Sequence, residues 1–129
     1  MKLFFLAAIL ACVSTGTFAK SADVVIGDCT DSMMAIVVDA ARGAGETVPP
    51  VDSKPMQDTR NGFGQVCVQV YEQGLASRDI KGIKMDAHEV QASIKAATLA
   101  NDRDKKIPDA VADRMADTAT VAFMAGYNQ

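Results

Sequence analysis

Residues 59–78 read Thr-Arg-Asn-Gly-Phe-Gly-Gln-Val-Cys-Val-Gln-Val-Tyr-Glu-Gln-Gly-Leu-Ala-Ser-Arg, and their periodicity decides the fold. Phe63, Val66, Cys67, Val70, Tyr71 and Leu75 recur at intervals of 3, 1, 3, 1 and 4, one face of a 3.6-residue helix. A strand competes for the middle of the stretch. Val66, Val68 and Val70 alternate with Cys67, Gln69 and Tyr71, and β-branched residues suit a pleated surface. Gly62 and Gly64 also weaken a helix, by about 1 kcal/mol each relative to Ala. Phe63 and Leu75 extend the apolar face beyond a typical strand, so the stretch is read as the central helix of an all-α domain.

Upstream, Asp28, Thr30 and Asp31 are all good N-cap residues and place the start of a first helix near Cys29 to Asp31. Met33, Met34, Ile36, Val37, Val38, Ala40 and Ala41 make it apolar nearly all round, which predicts a central position. Gly43 and Gly45 end it. Before it, Val24-Val25-Ile26 reads either as a strand or as an apolar segment docked on that helix. Residues 44–58, with Pro49, Pro50 and Pro55, read as an exposed loop.

Downstream, Asp86 is a natural N-cap with Glu89 three residues on, the pattern of a capping box. Val90, Ile94 and Ala97 line the core face of this third helix. Residues 101–107 form a charged connector. Pro108 opens the fourth helix, where a missing N–H costs nothing. Its expected buried face is Val111, Ala112, Met115, Ala119, Ala122 and Phe123, and Gly126 is its expected end. Four helices with short connections predict a small all-α bundle occupying residues 20–129.

Residues 1–19 read as a signal peptide. Met1-Lys2 gives a positive start, Leu3 to Val13 an apolar run, and Thr17-Phe18-Ala19 a cleavage site after Ala19. The run is too short for a permanent membrane span. Ile9-Leu10-Ala11-Cys12 loosely matches a lipidation signal, although Leu10 is bulky for its position. The expected location is the periplasm or outside the cell. Without the leader, 12 basic side chains face 16 acidic ones, a net charge of −4. That balance argues against nucleic acid and against anionic lipid surfaces. It also leaves two cysteines, Cys29 and Cys67, which in an exported chain most simply pair. Closing that 38-residue separation stabilises by roughly 3–4 kcal/mol in the chain-entropy account.

The residues that carry chemistry are sparse. His88 is the only histidine, which removes two-imidazole metal sites, and it falls on an exposed first turn. Cys67 would be a nucleophile only if it stayed reduced. Asp109, Asp113 and Asp117 recur every four residues on the fourth helix. The plain reading is a solvated face balanced by Arg103, Lys105, Lys106 and Arg114, but three aligned carboxylates could also bind a cation or face a basic surface on a partner, and their slight cost to helix stability singles them out as a candidate partner-binding stripe. The Met33–Val38 surface reads first as core packing, with a homodimer face or a ligand-lining wall as the alternatives. No catalytic set, cofactor or metal is expected, and the chain is read as a binding protein rather than an enzyme.

Cys67, Tyr71-Glu72-Gln73-Gly74, the Asp86 cap, Pro108 and Ala122-Phe123 together resemble the layout of the Rap/Tai family of small exported immunity proteins. The likeness spans about residues 63–123. It departs from the family in lacking a second cysteine pair, with Ile83 and Tyr127 in those neighbourhoods. Cys67 to Tyr71 is one residue longer, and the loop at 44–58 is also longer. The resemblance implies a periplasmic helical protein that binds and blocks a cell-wall amidase delivered by a type VI secretion system. The alternative is a periplasmic stress protein akin to acid-activated chaperones, because 16 carboxylates would swing the charge positive in acid.

Overall fold

The computed structural model describes residues 21–102, 104 and 106–129. The expected signal peptide, its cleavage site after Ala19 and Cys12 lie outside the described residues. Four helices follow in order: α1 (Ala22–Gly43), α2 (Lys54–Arg78), α3 (Ala87–Asn101) and α4 (Asp109–Tyr127), with no strand among the described residues. The all-α reading therefore holds, including residues 66–71, which are helical. Cys67, Tyr71 and Gly74 are the buried residues of α2, at helical spacing, while Val66 is 44% exposed. The alternation of valines was a coincidence of composition, because the deepest positions follow the 3.6-residue period instead.

α1 begins seven residues earlier than its strongest capping signals. Ser21 is the N-cap, and its hydroxyl accepts from the Val24 amide. Val24-Val25-Ile26 is thus the first turn of the helix, neither a strand nor a separate segment. The reason is tertiary. Val25, Cys29, Met33 and Ile36 are all buried at i, i+4, i+8 and i+11, so extending the helix places Val25 in the core beside Cys29. Asp28 and Asp31 remain exposed on the outer surface. α2 also starts early, at Lys54, with Pro55 in its first turn, so the connecting loop is shorter than expected. α3 starts where its cap predicts: the Asp86 carboxylate accepts from the His88 and Glu89 amides.

The helix at the centre is α4, not α2 or α1. α4 packs against all three other helices, whereas α3 packs on α4 alone and does not reach α1 or α2. The composition of α4 explains this. Its buried residues are Ala112, Ala116, Ala119, Thr120, Ala122, Phe123 and Gly126, mostly small side chains that let neighbouring helices come close. The closest approach is at Gly126, which does not end the helix as expected but lies inside it. A Cβ on Gly126 would stand 2.2 Å from the Tyr71 carbonyl oxygen, and one on Gly74 would stand 2.0 Å from that of Phe123. α2 and α4 therefore cross backbone against backbone at these two glycines, and no larger residue fits either position.

Two further ties hold the frame. Cys29 and Cys67 form a disulfide between α1 and α2, with Cα atoms 6.0 Å apart and both residues buried in the core. At the other end, the Tyr127 hydroxyl accepts from the Met85 amide and donates to the Ile83 carbonyl. That pair of hydrogen bonds fixes the α2–α3 connection to the last turn of α4.

Candidate partner-binding surface

The acidic stripe of α4 divides into two parts in the structure. Asp109 and Asp113 turn toward α3. Lys95 donates to Asp109 at 3.0 Å and stands 3.4 Å from Asp113, and the Gln91 amide donates to Asp113 at 2.9 Å. The Gln91 hydrogen bond is the main cause holding the Asp113 carboxyl below its ordinary value, with Lys95 adding to it. The same contacts raise Lys95, the Asp109 hydrogen bond most of all. These two aspartates thus fasten one helix to another. The residue that sequence reasoning overlooked is Lys95, which lies on the polar edge of α3. Its only signal was that an isolated lysine there has the right reach for a carboxylate ladder on a neighbouring helix.

Asp117, the third member of the stripe, is exposed, with no hydrogen bond or ion pair to the described residues. One turn on, Val121 shares its side of α4 and is 70% exposed, the most exposed large apolar residue on the four described helices. Beside Val121 lies a small hollow between α1 and α4, about 180 Å³. Val25, Ala122 and Ala125 give it an apolar floor, and Asp28 stands at its rim. Arg114, on the same outward side, reaches across to Asp39 of α1 at 3.8 Å. The face as a whole is an apolar centre with carboxylates around it. A protein interface with a basic rim is the complement to such a surface.

His88 is exposed on the first turn of α3, where its backbone amide serves the Asp86 cap. Cys67 is fully buried in the disulfide and has no free thiol to offer. Met33 is buried and Met34, Val37 and Val38 are half-buried. Among the described residues no cluster of three or more histidine, cysteine or carboxylate side chains is placed to hold a metal ion. No helix of the described residues is long and apolar enough to cross a membrane. Comparison of the chain with the families of known proteins, with curated proteins and with solved structures found no match.

Proposed function

We propose that the chain is an exported protein-binding module that neutralises a lytic enzyme by covering it, and that the α1–α4 face makes the contact. The observation that carries the reading is the 70% exposed Val121, set over an apolar hollow with Asp28 and Asp117 beside it. An apolar anchor ringed by charge is the arrangement that concentrates binding energy at the middle of an interface. The reading of residues 1–19 as a signal peptide supports export. The likeness to immunity proteins supports the kind of partner, a cell-wall amidase. That likeness rests partly on Tyr71 and Gly74, which are buried and shape the frame, so it speaks to the scaffold more than to the contact face.

The test is capture with the mature chain as bait in a periplasmic extract, followed by a peptidoglycan-hydrolysis assay on the captured protein. The expected result is a hydrolase whose activity falls to background when the chain is added back. Val121→Arg should weaken that inhibition at least about tenfold while leaving the fold intact, because an exposed side chain contributes little to stability. Full inhibition by Val121→Arg would remove the α1–α4 face from the proposal. Capture of no hydrolase would remove the function.

A further inference from the structure

On the opposite flank of α1 from that face, a second and wider groove of about 700 Å³ runs between α1 and α2. Cys29 pairs with Cys67 and Asp31 with Arg60, so the two helices run antiparallel along it. Two glycines open it, Gly27 from α1 and Gly64 from α2. Neither is required by packing. A Cβ on Gly27 would meet nothing within 4 Å, and one on Gly64 would lie 3.8 Å from the Thr30 hydroxyl, an ordinary contact. Each glycine inside a helix costs about 1 kcal/mol relative to Ala. At Gly74 and Gly126 that cost is explained by the helix crossing, but at Gly27 and Gly64 no close packing against the described residues explains it.

Along one wall stand Asn61, Gln65 and Gln69, three amides at four-residue spacing. All three are exposed, and none of their side chains makes a hydrogen bond within the described residues. Among the described residues Arg60 is the one charged member of the lining, and it is paired with Asp31, so the described lining is electrically balanced. Four residues of helix advance about 6 Å. Two residues of extended chain advance about 6.4–6.8 Å. A strand laid along α2 would therefore present an equivalent peptide unit to each amide in turn. Each amide can donate to a backbone carbonyl and accept from a backbone N–H at once. Ile26 and Val68 supply apolar contact for the small side chains that face inward.

We infer that the α1–α2 groove is a binding site for an uncharged extended peptide segment of a protein partner, read through its backbone by Asn61, Gln65 and Gln69. This site is separate from the α1–α4 face, so its failure leaves the proposed function standing, and the reverse also holds. The probe is an acetyl- and amide-capped seven-residue peptide alternating Ser and Val, titrated into isotope-labelled mature protein and followed by NMR. The expected result is saturable shifts of the Asn61, Gln65 and Gln69 side-chain amides. The same peptide N-methylated at alternate residues should bind about tenfold more weakly, as should Gln65→Ala with Gln69→Ala. Gly27→Leu should fill the groove and abolish the shifts while the protein stays folded by circular dichroism. Absence of saturable shifts in the wild-type chain, or equal binding by the N-methylated peptide, would overturn the inference. So would stronger binding of a β-1,4-linked N-acetylglucosamine tetrasaccharide, which would make the groove a glycan site.

Discussion

Helix α2 meets α4 through backbone, and α3 meets α4 largely through side chains. At the first contact Gly74 and Gly126 leave no room for even a methyl group, and the disulfide to α1 lies in the same core. At the second, Val90 and Ile94 supply a modest apolar seat, and Lys95, Gln91, Asp109 and Asp113 supply a polar latch at the surface. The difference teaches where the molecule is brittle. A backbone crossing tolerates no change of volume. A latch of solvated charges can be rearranged, screened or titrated with the rest of the frame in place.

The largest effect is expected at the crossing. Gly74→Ala or Gly126→Ala should each destabilise by about 3–5 kcal/mol in urea unfolding, because the helices must separate around the new methyl. Gly62→Ala is the contrasting control. Its Cβ meets nothing within 4 Å, so the same chemical change should stabilise by up to about 1 kcal/mol. Equal responses at Gly62 and Gly74 would end the distinction between the two kinds of glycine. Next in size is the disulfide: replacing Cys29 and Cys67 together by Ala should cost about 3–4 kcal/mol, read as a lower urea midpoint. Intact mass before and after reduction would check the bond itself.

The smallest effect is expected at the latch, and its pH dependence has a defined sign. The Asp113 carboxyl is held below its ordinary 3.8, so its contribution is complete above that value and is lost as the pH falls through the depressed value. Lys95 is raised above 10.5, so its contribution is complete below 10.5 and is lost as the pH rises through the raised value. The docking of α3 is therefore firmest between about 4 and 10 and loosens at both extremes. Hydrogen exchange on α3 should quicken below pH 4 while α2 amides stay protected, and Gln91→Ala should flatten that dependence more than Lys95→Ala. The same titration addresses the chaperone-like alternative, which requires broad exposure of apolar surface in acid. If α2 and α3 lose protection together, the latch is not a separable contact.

Elements with local start signals were legible in the sequence, and those fixed by distant contacts were not. Asp86 and Pro108 announce α3 and α4 because capping and proline geometry act within one turn. The start of α1 was misplaced because Asp28, Thr30 and Asp31 are strong caps in isolation, yet burying Val25 beside Cys29 outweighs them. Gly126 looked like a helix stop because the usual role of glycine there is local, whereas its role in this fold depends on the backbone of Tyr71 and Leu75 in another helix. At the candidate site, Asp109, Asp113 and Asp117 were visible as a stripe, but its division was not. Which carboxylates Lys95 and Gln91 take up depends on how α3 lies across α4, and nothing in the linear spacing encodes that angle. Val121 was legible in part: the helical period leaves it off the expected buried face of the fourth helix, but its place beside a hollow depends on how α1 lies against α4.

The paired glycines also bear on how such a chain can diverge. Most core positions drift by exchange, one side growing as the other shrinks. Gly74 and Gly126 cannot trade in this way, because both are already at the smallest size available and each faces the other helix's main chain. A change at either position therefore requires shifting a whole helix. Together with Cys29 and Cys67, the two glycines set a four-position constraint that any sequence adopting this frame with the same crossing has to meet.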